Sequence, residues 1–355
     1  MKLKSIQCLR GVAVLLVSYS HAINLQSEFS ISIQQNFFYL AKFGAIGADV
    51  FFVISGFIIS YVTSKLYGLR QGIHFLHKRV MRIYPIYYLI TFVQIGLFYF
   101  FIPDFQVGSV IQSLRDSLIL IPLINNQSVI PIIKTAWTLE FEWYFYIVLF
   151  ILIIIKVKNK AIGTLVVMGV ILFIGRIITL TDFRWRMLSN PIMLEFLFGV
   201  VIYILYVKVR PVKSICYFIF MLAILAAYYN IFFGYPEKLP ALSAVFLEDS
   251  GLQRAILWGI PSAFIVGSCI FIEKLKIKGL SFDNPIMQLI GNASYSIYLL
   301  NLPLEFLLHS VYKRMFFSLP GDVAIFFHLV VYVGVGIIFY LVIERYLLKI
   351  TIQGN

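Results

Sequence analysis

Apolar runs of about 20 residues recur along the whole chain, separated by short polar and basic segments. Each is long enough to cross about 30 Å of hydrocarbon as a helix. The runs are continuously apolar, which excludes the alternating pattern of a transmembrane barrel. With no water to satisfy the backbone, each run is predicted to be helical. Ten spans are predicted, at 6–26, 45–63, 83–102, 137–155, 161–178, 190–207, 212–233, 253–272, 286–309 and 323–346. The connection 104–134 is longer, and its 109–124 part is predicted to lie on the membrane or dip into it. The expected fold is all-α, a polytopic membrane bundle of about ten transmembrane helices. One membrane domain is expected to fill residues 1–355, with no appended domain outside the membrane.

Composition agrees: 61% of residues are hydrophobic and only 13% are charged, too few to cover a soluble domain of 355 residues. The net charge of +13 does not mark a nucleic-acid binder, because the basic residues sit in short clusters between apolar runs. Alternate loops hold most of them: Lys65, Arg70, Lys78, Arg79 and Arg82; Lys156, Lys158 and Lys160; Lys208, Arg210 and Lys213; Lys274, Lys276 and Lys278. The intervening loops hold fewer, at Lys42, Arg115, Lys134, Arg184, Arg186, Lys238, Lys313 and Arg314. This bias predicts that the rich loops, and with an even span count both termini, are cytoplasmic. The first run carries Arg10 and His21 and lacks a small-x-small cleavage site, so it reads as a retained helix. Cys8, Cys216 and Cys269 have no metal-binding spacing and read as small buried hydrophobes.

Ionisable residues within spans are functional candidates, because each is costly in lipid. Arg10 and His21 share span 1. Eleven helical steps are close to three turns, so both face one way, about 16 Å apart along the axis. By topology His21, Asp49, Glu142 and Glu195 fall at similar depth. A histidine beside a carboxylate is the arrangement a general base needs. An interhelical hydrogen bond is the plainer alternative. Arg254, His309 and Glu344 lie near predicted span ends, where they are expected to reach the interface. Arg79 and Arg82 precede span 3 and share a face, suited either to a phosphate clamp or to anchoring that end of the helix.

Five segments resemble the acyltransferase family 3 membrane proteins. LRGVAVLLVSYSH carries an arginine and a histidine eleven residues on, at Arg10 and His21. GADVFFVISGFIIS resembles the family's G-x-D-x-FFV-x-SGF stretch, through Gly47, Asp49, Phe51, Phe52, Ser55, Gly56 and Phe57. KRVMRIYPIYYL resembles its R-x-x-R-x-x-P element at Arg79, Arg82 and Pro85. AWTLEFEWYFY resembles its tryptophan motif at Trp137, Leu139, Glu142, Phe145 and Tyr146. GNASYSIYLLNLP resembles its SYS motif at Gly291, Ser294, Tyr295, Ser296 and Tyr298. The segments occur in the family's order across residues 9 to 303. Thr138 stands where the family usually has Ser, and Asn301 where it usually has His. Asn301 cannot act as a base.

The resemblance implies an enzyme that moves an acetyl group from acetyl-CoA to a hydroxyl of a lipid-linked or surface polysaccharide in the bacterial inner membrane, among membrane lipid. It assigns His21, Asp49 and Glu142 to catalysis and Arg10, Arg79 and Arg82 to the coenzyme. Trp137, Ser55 and Asn301 are assigned to the acceptor. Asp49 or Glu142 is expected to orient His21, which acts as base or as acyl carrier. No metal is implied. A longer acyl group such as succinyl, a glycan or lipid transporter, and a non-enzymatic scaffold are the alternatives. The chain shows no Gly/Pro-interrupted pair of spans in corresponding halves of the kind transporters use.

Overall fold

The computed structural model describes residues 3–27, 44, 46–102, 110, 114, 117–120, 131–178, 183–233, 250–277, 281–315 and 321–353. Among them there is no strand. Ten long helices follow one another: α1 (Lys4–Ser27), α2 (Ile46–Thr63), α3 (Leu69–Phe101), α4 (Trp137–Ile154), α5 (Lys160–Ile177), α6 (Met193–Lys208) and α7 (Lys213–Phe232). Then come α8, which joins Ser250–Arg254 to Ile260–Lys274 through a π turn at Ala255–Gly259, and α9 (Pro285–Met315). Last is α10, which joins Gly321–Phe339 to Arg345–Gln353 through a π turn at Tyr340–Glu344. The all-α membrane bundle expected from the apolar pattern is the observed fold. Most of the 109–124 segment, expected to lie on the membrane or dip into it, lies outside the described residues.

Nine of these helices are long and apolar enough to cross a membrane, among the described residues. α9 is long enough but is diluted by Gln288, Asn292, Ser294, Ser296, Asn301 and Glu305. Such a helix is stable in lipid only if neighbouring helices take up its polar groups. α3 differs from expectation at its start. It begins at Leu69 rather than near residue 83, because nothing between Leu69 and Tyr84 breaks a helix. Phe75, Arg79, Ile83 and Ile86 recur at three- and four-residue steps on its buried face. Arg79 and Arg82 therefore sit within the helix, several turns from its end.

The basic connections gather at one end. The Gly68 N–H donates to the Ile153 carbonyl at 2.8 Å, and Lys160 Nζ lies 3.5 Å above the Tyr67 ring. Lys274 Nζ donates to the Val209 carbonyl at 3.1 Å, and the Lys4 N–H donates to Glu273 at 2.9 Å. Tyr206, near the end of α6, packs edge-on to Phe57 of α2 at 5.6 Å, tying the two groups of connections together.

Backbone approach at glycines sets the crossings. A β-carbon at Gly291 of α9 would overlap the Gln7 carbonyl of α1. One at Gly56 of α2 would overlap the Phe196 carbonyl of α6. α1 and α9 run parallel, and α1 packs more extensively on α9 than on any other helix. Gly291→Ala is expected to force this pair apart and cost about 1–3 kcal/mol. Gly169→Ala, with open space around it, is the control. Thermal unfolding of both variants in detergent checks this, and equal midpoints would count against the close approach.

Candidate active site

Two helices bring three guanidinium groups to one cavity. Arg10 of α1 donates to Ser294 Oγ of α9 from Nε at 3.1 Å and Nη2 at 2.8 Å. Arg79 and Arg82, on one face of α3, reach the same space. Arg79 is buried, with its guanidinium 5.4 Å from the Phe75 ring and 5.6 Å from the Tyr146 ring. Its Nε–H has no hydrogen-bond partner. Beside these guanidinium groups, Glu142 of α4 accepts from Ser55 Oγ of α2 at 2.8 Å and from the Tyr146 hydroxyl. Tyr295 closes a third side, and its hydroxyl donates to the Ile83 carbonyl at 2.8 Å.

The cavity encloses about 850 Å³ of space not filled by atoms, its mouth included. Apart from these polar groups its walls are apolar, with Phe51, Phe52, Ile54, Ile58 and Ile59 on α2. Three guanidinium groups against one lining carboxylate leave a surplus of positive charge in a low-dielectric setting. The arrangement is suited to an anion bearing an apolar extension, and forked guanidinium donors favour phosphate or carboxylate.

Along the α1–α9 seam lie two further polar pairs. Ser18 Oγ donates to Asn301 Oδ1 at 3.0 Å, and both residues are fully buried. His21 Nδ1 lies 2.7 Å from Glu305 Oε2, with these side chains 18% and 21% exposed. This pair is therefore reachable, whereas the Ser18–Asn301 pair is not.

A third polar cluster is closed. Asp49, at the start of α2, accepts from Arg254 Nε and Nη2 of α8 at 2.9 Å each. The guanidinium lies 5.8 Å from the Trp137 ring. Glu195 of α6 is fully buried beside Asp49. The π turn of α8 presents Gly259 to it, where a β-carbon would crowd Glu195 Cγ at 2.8 Å.

A family model described as an acyltransferase domain matches residues 3–345, almost the whole chain. The chain belongs to acyltransferase family 3. This acyltransferase is 28% identical over 317 residues to the exopolysaccharide production protein ExoZ of Rhizobium meliloti (strain 1021), covering 86% of the chain and 90% of that relative. It is 25% identical over 304 residues to proteins of Staphylococcus aureus (strains COL and MSSA476) that carry an O-acetyltransferase name. That match covers 76% of the chain but only 47% of those proteins, so the chain spans about half their length. No solved structure matches it.

Of the residues singled out in the acyltransferase's sequence, Arg10, Arg79, Arg82, Ser55 and Glu142 line the one cavity. His21, Asp49, Trp137 and Asn301 do not. The expected orienting partner of His21 needs correction. Asp49 is taken by Arg254, and Glu142 by Ser55 and Tyr146, while Glu305 holds the imidazole. Arg254 and Glu344, expected at the interface, are turned inward instead. Arg254 pairs with Asp49, and Glu344 is only 4% exposed. Glu305 was discoverable. It follows Ser294 by eleven residues, as His21 follows Arg10, so two parallel helices in register bring the second pair together.

Removing one partner of the Asp49–Arg254 pair leaves a buried charge. Arg254→Met is therefore expected to destabilise the bundle by about 3–5 kcal/mol, and the double variant Asp49→Leu/Arg254→Met to recover much of it. Detergent melting curves of the two variants test this. A double variant no more stable than the single one would show that the pair is not the source of the loss.

Proposed function

We propose that this acyltransferase moves an acetyl group from acetyl-CoA to a hydroxyl of a cell-surface polysaccharide, either a lipopolysaccharide O-antigen or an exopolysaccharide. The reading places it in the bacterial inner membrane as a single membrane domain, with both termini and the basic end of the bundle cytoplasmic. One observation carries this reading. Three guanidinium groups surround a cavity toward the basic end, and the helix pair that supplies Arg10 leads eleven residues on to an accessible His21–Glu305 pair. The family and the name of the Rhizobium relative support the acceptor class.

On this reading Arg10, Arg79 and Arg82 hold the coenzyme's phosphates. The pantetheine arm extends along α1 toward His21, over about 16 Å. Glu305 accepts a hydrogen bond from Nδ1–H of His21, which leaves Nε2 free as the base. The acceptor hydroxyl attacks the thioester carbonyl as Nε2 takes its proton. The new C–O bond forms, the C–S bond breaks, and the imidazolium returns the proton to the departing thiolate. Ser55 and Glu142 set the polar wall of the donor cavity. Asp49, Trp137 and Asn301 act by holding helices in position: Asp49 and Trp137 through Arg254, and Asn301 through Ser18.

His21→Ala is expected to abolish transfer in membranes supplied with radiolabelled acetyl-CoA while membrane abundance is kept. Wild-type acetylation by that variant would refute the role. Glu305→Gln is expected to lower the rate about 10- to 100-fold with little change in donor KM. Lysine at both Arg79 and Arg82 is expected to raise donor KM about tenfold, because the fork is lost. Comparing the surface glycan with and without the gene identifies the acceptor, and a label retained from succinyl-CoA instead would reassign the acyl group.

A further inference from the structure

Glu344 is a buried carboxylate that the transfer scheme does not use. It closes the π turn Tyr340–Glu344 of α10, which adds a residue to the helical turn and rotates the next residues around the axis. Its neighbours Leu341 and Val342 are 44% and 67% exposed, whereas Glu344 is 4% exposed. Its Oε2 accepts a hydrogen bond from Ser296 of α9. Two residues earlier on the same helix, Ser294 accepts from Arg10. Glu344 lies within electrostatic reach of both Arg10 and Arg82. A short serine strip thus ties one cation of the cavity and one carboxylate to α9.

We propose that Glu344 is a positioning residue that acts through Arg10 and Arg82 as an internal anion. It balances these guanidinium groups when the cavity is empty and competes with the donor's phosphates when it is filled. The proposal rests on reading the cavity as the phosphate site. With Glu142 lining the cavity and Glu344 behind it, the three arginines keep a surplus of one positive charge. That surplus draws in a polyanion, and the standing carboxylate keeps it from being held too tightly. Release of the spent coenzyme then stays compatible with turnover.

The experiment uses the full chain purified in detergent micelles, titrated with free coenzyme A and with phosphate-free pantetheine. Glu344→Gln removes the charge and keeps a partner for Ser296. It is expected to bind coenzyme A about five- to tenfold tighter, as the loss of one nearby opposing charge allows. Pantetheine binding is expected to stay unchanged. In the transfer assay, KM for acetyl-CoA and kcat are expected to fall together. A merely structural role would weaken binding instead. Ser296→Ala keeps the charge but frees it to turn toward the arginines, so coenzyme A is expected to bind several-fold more weakly. A folded Glu344→Gln protein that binds coenzyme A like the wild type, or less tightly, overturns the proposal. If that variant does not fold, unchanged binding by Ser296→Ala overturns it. Wild-type coenzyme A binding that ignores lysine at Arg79 and Arg82 removes the phosphate-site reading and the proposal with it. Sensitivity to those lysines with an inert Glu344→Gln removes the proposal alone.

Discussion

The structure depends on the close parallel contact of α1 and α9. Gly291 lets the α9 backbone rest against the Gln7 carbonyl of α1, where a β-carbon would not fit. At that separation polar side chains span the gap. Arg10 meets Ser294, Ser18 meets Asn301, and His21 meets Glu305. The partner numbers differ by 284, 283 and 284. So nearly constant an offset is possible only for parallel helices that climb together. Interhelical hydrogen bonds in membranes contribute modestly, about 0.6–2 kcal/mol each. Their larger consequence here is to give the polar groups of α9 a reason to face inward.

Buried charge in this bundle is of two kinds, and access to the cavity separates them. The Asp49–Arg254 pair has both oxygens and the guanidinium fork matched, with Glu195 packed behind it. None of Asp49, Arg254 and Glu195 lines the cavity, and the three residues sit where α2, α6 and α8 meet. The arginine cavity is unmatched. Arg79 keeps an unpaired buried Nε–H, and its guanidinium leans on two aromatic rings instead of a carboxylate. A protein that only needed those helices joined would gain by neutralising the site with another acid. The unmatched charge is suited to an anionic ligand.

Legibility in the sequence divides along the same line. Apolar runs need no partner to be recognised, so the ten helices were visible, and so was the basic end. Arg79 and Arg82 were recognised by motif, but their depth was not. The polar residues that begin α3 lower its apparent apolarity without breaking the helix. Pairings between distant helices were the least legible. His21 has several carboxylates at similar depth, and depth alone does not say which helix lies beside α1. Arg254 and Glu344 lie near the ends of apolar runs and looked like interface residues. In both helices a π turn changes the facing of the chain next to it, and no spacing rule for a regular helix anticipates that.

On the proposed reading, the separation of the arginine cavity from the histidine pair lets one bundle join a donor held near its basic end to an acceptor held deeper along α1. The cavity runs from Arg82 and Ile59 toward Ala48 on α2 and Tyr298 on α9. It therefore extends away from the basic end, to within a helical turn of Asn301 and about two turns of Glu305. The guanidinium groups stand at the first end, and Ala48, Phe51, Thr138 and Tyr298 line the far one. A ligand with phosphates at one end and a thin, weakly polar arm at the other matches that gradient. A compact polar ligand would leave the apolar half unfilled. The anion-binding charge stays near the face where it is least costly, and the imidazole remains about three helical turns deeper along the same helix.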